Sequence, residues 1–388
     1  MSAAPALSPA ELARYSRHLL LAPIGLAGQG KLAAARVLVV GAGGLGSPAA
    51  LYLAAAGVGT LGIADLDRVE LHNLQRQLLH DDASLGESKV ASAVRRLRCT
   101  NPHVQVVPHE GGITPANAVA IFSHYDVVVD GTDNFGSRYL NNDAAFFAHR
   151  PLVYGSVFQF EAQVTVFDPA RGAPCYRCLF PAPPPSGAVP GCGEAGVLGA
   201  LCGVIGSLQA LEAIKLITGV GSPLRGRLLL YDSLAQEFRT TQLAADDRCP
   251  LCGRQPTIRE VASTATEVGC GSAAPPTSAA DFPFEVDVAT AKQLRDAAPD
   301  RVLIVDVRES AELVICRLDG SRHVPLRQLP ENAATLPRDK HLLLLCHVGA
   351  RSRRATEYLR AHGFPAASNI AGGIDAWARE IDPGLRRY

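Results

Sequence analysis

The sequence has no surplus of either charge. Its 37 lysines and arginines are matched by 37 aspartates and glutamates, and no long run carries one sign. That excludes a sequence-independent electrostatic grip on nucleic acid. The N-terminus shows no charged segment leading into an apolar one, so no secretory signal is read and a cytoplasmic location is expected. No internal repeat is found. No long apolar run is free of polar side chains either. The most apolar long segment, 197–220, carries Gln209, Glu212 and Lys215. It reads as a buried helix rather than a membrane span. What is present is a chain of 388 residues, 47% of them apolar. That suits two or three domains with sizeable cores. Four of the ten cysteines form Cys-x-x-Cys pairs. Without a secretory signal, zinc or thiol chemistry is expected in place of disulfides.

The pattern along the chain is strand and helix in alternation. "SPAELARYSRHLL" opens with a capping box, Ser8 at the cap, Pro9 next and Glu11 three residues on. "ARVLVVGAGGLGSPAALYLAAAG" reads as a buried strand, a glycine turn and a helix. "LGIADLD", "VQVVP" and "DVVVDGTDN" read as further strands, with helices at "SKVASAVRRL" and "RYLNNDAAFFAH". Such alternation specifies an α/β fold, a Rossmann-like doubly wound and mostly parallel sheet. "EAQVTVFD", "GRLLLYD" and "QEFRTTQL" alternate more like antiparallel strands. "FPAPPPSGAVPGCGEAG" has the composition of a mobile loop and "STATEVGCGSAAPPTSAADFP" that of a linker. After it, "VLIVDVRE", "SRHVPL" and "HLLLLC" read as strands, with helices at "TAKQLRDAA" and "RRATEYLRAHG". The expected division is 1–258, a linker at 259–281, and a smaller α/β domain at 282–388.

Gly41, Gly43 and Gly46 stand at the G-x-G-x-x-G positions between a strand and a helix, with Gly44 inside the turn. Glycines let a ligand approach the backbone, and the helix N-terminus favours anions. Asp65 ends the next strand about 20 residues on, where an acid can bind ribose hydroxyls. The motif alone suits a dinucleotide such as NAD. The residues after it suit a triphosphate better. His72, Asn73, Leu74, Gln75, Arg76 and Gln77 follow the Asp65 strand, and Lys89 opens the next helix. Asp133 and Asn134 lie at the C-terminal end of a later strand. Arg76 and Lys89 supply cations for phosphates, and Asp133 can hold Mg²⁺.

"RYSRHLL", "VLVVGAGGLGS", "NLQRQ", "DGTDN", "CYRC", "GVIGSLQALEAIK" and "CPLC" together resemble the MoeB/ThiF-like, E1-type activating enzymes. The likeness runs from about Arg14 to Gly253. It implies that the enzyme uses Mg·ATP to adenylate the C-terminal glycine of a small ubiquitin-like sulfur-carrier protein ending in Gly-Gly. Gly44, Asp65, Asn73, Arg76, Lys89, Asp133 and Asn134 would form the ATP site. Arg17 matches an arginine lent across a dimer interface to the phosphates, which implies a homodimer. Such carriers serve molybdopterin, thiamin, cysteine, tRNA-thiolation and siderophore pathways, and the sequence does not choose among them.

Cys175, Cys178, Cys249 and Cys252 can supply a closed tetrahedral zinc site. Seventy residues separate the two pairs, so spacing alone leaves redox or packing roles open; the resemblance implies structural zinc. Cys192, in the proline–glycine loop, matches the E1-like cysteine that can form a thioester or attack an acyl disulfide. Cys202 reads as a core residue.

"VLIVDVRE", "CHVGARS" and "AGGIDAW", in that order and spacing, resemble a single rhodanese domain. Cys346 to Arg351 would be its six-residue active loop. Backbone N–H groups in such a loop form an anion nest around the sulfur, and Arg351 and the helix behind it are expected to stabilise a persulfide anion. "ICRLDGSRHVPL" departs from the usual rhodanese pattern on the scaffold side. Asp306 and Arg308 read as structural. The expectation is therefore a Cys346 persulfide that attacks the acyl adenylate, supplied by a cysteine desulfurase or thiosulfate. Two alternatives stand beside it. One is an adenylyltransferase whose rhodanese domain only docks, and the other is an NAD-dependent oxidoreductase with an appended domain. No nucleic-acid or membrane partner is expected.

Overall fold

Val37 to Val40 have no polar side chain among them, and all four are buried. Such a strand needs cover on both faces, as in a parallel sheet flanked by helices. That is its setting in the computed structural model, which describes residues 7–183, 196–261 and 282–388. The chain divides into two compact units, Met1–Cys270 and Gly271–Tyr388.

In the first unit, strands β1 (Arg36–Val40), β2 (Thr60–Ala64), β3 (Gln105–His109), β4 (Val127–Asp130) and β5 (Leu152–Phe158) pair in parallel in the order β3-β2-β1-β4-β5. Strands β6 (Glu161–Phe167), β7 (Arg227–Asp232) and β8 (Glu237–Gln242) extend the sheet antiparallel. This agrees with the alternation of those three segments. The pleat sorts β1 between two cores. Val37 and Val39 pack with the helices Gly46–Ala55, Lys89–Thr100 and Gly199–Thr218, while Leu38 and Val40 pack with Ala118–Ser123 and Phe135–Phe147. The expected capping box forms, with Ser8 and Glu11 exchanging hydrogen bonds.

Helix Gly199–Thr218 is long and apolar enough to cross a membrane by length and composition. Its polar side chains show why it lies in the core instead. Gln209 is fully buried and donates to the carbonyls of Asp130 (2.6 Å) and Val153 (3.2 Å). Glu212 accepts from the Leu224 N–H at 2.8 Å and pairs with Lys215. Its polar atoms therefore tie the helix to the sheet and to the segment after it.

The second unit is a five-stranded, all-parallel sheet. Strands β9 (Glu285–Val286), β10 (Val302–Asp306), β11 (Arg322–His323), β12 (His341–Leu345) and β13 (Ala367–Ile370) lie in the order β11-β10-β12-β13-β9. The central β12 is buried along its whole length, with Leu343 and Leu345 in one core and Leu342 and Leu344 in the other. "SRHVPL" forms only a two-residue strand. Pro325 has no N–H for a ladder, and a short 3₁₀ turn follows it.

Candidate active sites

Strand order reverses at β1, whose neighbours β2 and β4 lead the chain in opposite directions. Open α/β sheets bind ligands at the carboxyl ends of such strands. A cleft opens there, lined by Gly41, Gly43, Gly44, Asp65, Arg76, Lys89, Asp133 and Asn134 among others. Residues from five separate segments of the sequence thus converge on one place.

The glycines do different jobs. Gly41 has φ +93°, a conformation that glycine adopts without strain. A Cβ on Gly46 would sit 1.7 Å from the Gly41 carbonyl oxygen, and one on Gly131 would sit 2.8 Å from the Gly46 nitrogen. These three allow the β1 turn, the helix start and the end of β4 to touch. Gly44 faces the cleft, and its missing Cβ leaves room beside Cys202 and Arg76. Gly46 is therefore a packing residue and does not line the cleft.

Asp65 braces the turn. Its carboxylate accepts from the Ala42 N–H at 2.7 Å and the Asp67 N–H at 2.8 Å. His80 holds the other side. Its ring nitrogens lie 3.0 Å from the Ala42 carbonyl and 3.0 Å from the Ser92 hydroxyl. Burial lowers the His80 pKa from 6.5, so the ring is neutral at pH 7. Lys89 is nearly buried, and its ammonium reaches Asp67 at 2.8 Å. Arg76 donates to the His72 carbonyl at 2.9 Å. Asp133 is exposed in the cleft. Asn134 caps the helix Phe135–Phe147, accepting from the Ser137 N–H at 2.9 Å.

Several expected residues stand outside the cleft lining. His72 is exposed and 3.2 Å from Glu70. Asn73 is buried and accepts from the Glu70 N–H, which shapes the 3₁₀ turn Leu71–Asn73. Leu74 and Gln75 follow that turn, and the Gln75 carbonyl fits against Gly199, where a Cβ would come within 2.1 Å. Arg17 is exposed on the short helix Ser16–Leu19. Cys192 lies outside the described residues.

Sequence reasoning missed Asp67, His80, Arg138 and Asn141. Arg138 is nearly buried at the cleft, with its guanidinium over the rings of Phe135 and Tyr154. Beneath it, Asp130 is fully buried and accepts from the Thr132 N–H and hydroxyl at 3.0 and 2.6 Å. Burial raises its pKa, and the Thr132 contacts oppose that. Cys202 is buried as expected, and its sulfur also faces the cleft.

Away from the cleft, the four cysteine sulfurs meet. Sγ–Sγ distances are 3.9 Å for Cys175–Cys178, 3.5 Å for Cys175–Cys249, 3.4 Å for Cys178–Cys252 and 3.4 Å for Cys252–Cys175. All four lie within 4.8 Å of one another. A tetrahedral Zn–S₄ centre puts its sulfurs about 3.8 Å apart. The donor set therefore fits zinc. Hydrogen bonding among the thiols and burial push Cys175 well above its ordinary value. A cation at the centre reverses that cost by favouring thiolates.

In the second unit, Cys346 directly follows β12 and is 1% exposed. Its sulfur accepts from the Gly349 N–H at 3.1 Å and the Ser352 hydroxyl at 3.2 Å. Gly349, at φ +98°, turns the loop into the helix Ala350–Ala361. The "AGGIDAW" signal has a physical reason. A Cβ on Gly373 would lie 2.4 Å from the carbonyl oxygens of both Cys346 and His347. The next two N–H groups, of Ile374 and Asp375, donate to those carbonyls at 2.8 and 3.0 Å. The glycine thus lets a helix N-terminus clamp the loop from behind.

Arg351 makes a two-pronged ion pair with Glu312, 2.6 Å on each prong. Burial would raise the Glu312 carboxyl, but Arg351 holds it below its usual value. Tyr388 donates to Glu312 at 2.8 Å, accepts from Arg308 at 2.9 Å, and stacks on His347 with ring centroids 4.3 Å apart. Arg308 and Asp306 are both fully buried and bonded to each other, a structural pair.

The family model for the ThiF family matches residues 15–251, and that for the rhodanese-like domain matches residues 288–380. The chain belongs to the ThiF family. Over nearly its full length this ThiF-family chain is 44% identical to a probable adenylyltransferase/sulfurtransferase, MoeZ, of Mycobacterium tuberculosis, covering 99% of this chain and 97% of that protein. It is 42% identical to adenylyltransferase and sulfurtransferase MOCS3-1 of Zea mays (97% and 83% covered) and 41% identical to MOCS3 of Sus scrofa (99% and 89%). The chain is an enzyme of this adenylyltransferase and sulfurtransferase class. Among solved structures, E. coli MccB with ATP matches at TM-score 0.55 and 22% identity, covering 62% of this chain and 74% of that one. MccB with MccA-N7isoASN matches at 0.56 and 22%, covering 64% and 75%. These show the ThiF-type fold.

Proposed function

We propose that the chain uses Mg·ATP to adenylate the C-terminal glycine of a small ubiquitin-like sulfur carrier and then converts it to a thiocarboxylate. The observation that carries this reading is the pairing, in one chain, of a cleft holding Arg76, Lys89 and Asp133 with a loop that cradles a thiol sulfur. A carboxylate is a poor electrophile because its two oxygens share the charge. In the first step one of those oxygens attacks the α-phosphorus of ATP. The bond to the β-phosphate oxygen breaks, and pyrophosphate leaves with the electron pair. Arg76 and Lys89 are placed to stabilise the charge that builds on the phosphate oxygens. Asp133 faces the same cleft and would hold Mg²⁺, while Gly44 lets the phosphates approach the backbone.

The second half uses the outer sulfur of a Cys346 persulfide. It attacks the acyl carbon and AMP leaves, giving an acyl disulfide. A second thiol, Cys192 in this reading, attacks the Cys346 sulfur and releases the thiocarboxylate. A Cys346–Cys192 disulfide remains, and an external thiol reductant resets it. The four clustered cysteines would hold structural zinc, and Arg17 would serve the phosphates of a partner subunit in a cytoplasmic homodimer. The sulfur would come from a cysteine desulfurase or thiosulfate. The test is mass spectrometry of a carrier after incubation with ATP and a sulfur source. A gain of about 16 Da at the C-terminal glycine is expected, the difference of sulfur for oxygen in a displaced acyl group. NAD binding without carrier-dependent ATP–pyrophosphate exchange would sink the proposal.

A further inference from the structure

The loop that carries Cys346 is surrounded by matched charges. Arg351, six residues into the loop, is paired on both prongs with Glu312. Arg308 is taken up by Asp306, and Asp375 by Arg387 at 2.8 Å. Burial keeps His347 below 6.5, so it adds no charge at pH 7. Exposed groups nearby on the chain are of both kinds: Arg317 and Arg353 are charged, with Arg353 3.7 Å from Glu357, and others are apolar. Val348 in the loop is 58% exposed, and Val314, two residues beyond Glu312, is 86% exposed.

We propose that Glu312 is a specificity-determining residue of the sulfur-transfer site, masking the charge of Arg351, and that Tyr388 is the positioning residue that holds Glu312 in place. The inference rests on the sulfur-transfer reading of Cys346. A guanidinium presented toward the loop attracts a small dianionic sulfur donor such as thiosulfate. A guanidinium already bound to a carboxylate offers little to a second anion. Glu312 therefore lowers the response to small anionic donors and leaves uncharged ones unaffected. Tyr388 contributes through geometry. Its hydroxyl bridges Glu312 and Arg308, and its ring covers His347. With Tyr388 in place, Glu312 has three fixed partners: Arg351, Tyr388 and the Glu309 N–H, which donates to it at 2.9 Å.

The chemistry affected is the loading step. The Cys346 thiolate attacks the outer sulfur of thiosulfate, the S–S bond breaks, and sulfite leaves with the electron pair. Cyanide then attacks the outer sulfur of the persulfide, giving thiocyanate and regenerating the thiolate. A neutral thiosulfonate, S-methyl methanethiosulfonate, reacts by the same displacement with sulfinate leaving, and supplies the uncharged reference.

The experiment uses the full-length chain. Thiosulfate-to-cyanide transfer is measured for wild type, Glu312→Gln, Glu312→Asp and Tyr388→Phe, and Cys346 labelling by the thiosulfonate is followed by peptide mass spectrometry. Glu312→Gln is expected to raise kcat/KM for thiosulfate about tenfold, or about 1.4 kcal/mol, mainly through KM. Labelling should stay within about twofold of wild type, because a neutral reagent gains nothing from a free guanidinium. Glu312→Asp should restore discrimination, and Tyr388→Phe should raise thiosulfate kcat/KM by about two- to threefold. An unchanged thiosulfate KM in Glu312→Gln, with an unchanged melting temperature, overturns the proposal. If Glu312→Gln unfolds, an unchanged KM in Tyr388→Phe overturns it instead. Thiocyanate formation that survives Cys346→Ala overturns the sulfur-transfer reading, and the mask with it.

Discussion

The nucleotide cleft and the cysteine loop solve opposite problems. The cleft is open and built from five segments, brought together by the β1–β4 switch point. The loop is one stretch of six residues that begins at Cys346, a residue 1% exposed. In the proposed reaction the cleft would admit two substrates and neutralise several phosphate charges, which calls for cations from distant segments. The loop must protect a single anion, so nearby N–H and O–H donors suffice. Sites that gather charge depend on topology, whereas sites that cradle one atom depend on a local turn.

The sharpest way to separate the two is to remove the sulfur. Cys346→Ala should cut thiocarboxylate yield by at least about 100-fold, as for loss of a covalent nucleophile, and leave carrier-dependent ATP–pyrophosphate exchange intact. Unchanged yield with a physiological donor would mean that the second unit only docks. The reciprocal change is Lys89→Met. It should lower kcat/KM for pyrophosphate exchange by about 10²–10³, the usual loss for one pre-placed charge, with Cys346 persulfide loading unaffected. The fold should survive, because Asp67 is 71% exposed and becomes solvated.

A third test concerns support rather than chemistry. Stripping metal with a chelator, or Cys175→Ser, should lower the melting temperature of the first unit by about 6–12 °C, or about 3 kcal/mol. The unit from Gly271 should melt as before. Equal loss in both units would contradict a zinc site confined to the four cysteines. The smallest expected effect belongs to His80. Its folded pKa lies below 6.5, so the unfolded chain binds the proton more readily. Stability is therefore full above pH 6.5 and declines as pH falls toward the lowered value. Thermal melts of the first unit from pH 7 to 5 should show a small loss of stability, and His80→Gln should flatten it.

How much was legible beforehand varied with sequence distance. The glycine turn, the capping box at Ser8 and the loop at Cys346 are local and could be read directly. Lys89 and Asp133 were singled out because each sits beside the end of a readable strand or helix, and Arg76 because it lies beyond the Asp65 strand. Gly46 was placed in the site because the motif includes it; its role is packing, since the Gly41 carbonyl occupies the space its Cβ would need. The pairs that tune the site were not legible. Asp67 lies 22 residues from Lys89, His80 is 38 from Ala42, Glu312 is 39 from Arg351, and Tyr388 is 76 from Glu312.

By itself the sequence determined the elements, their mostly parallel order, and which residue types could do chemistry. Each of those follows from local periodicity, from glycine's freedom at a turn, or from the reactivity of a thiol or a cation. Tertiary structure decided what each charge faces. Hydrogen-bond partners 20 to 80 residues apart are chosen by strand order and packing, and no local pattern records them. That is why Arg351 read as a cation aimed at the sulfur, and why only the fold shows it in the grip of Glu312.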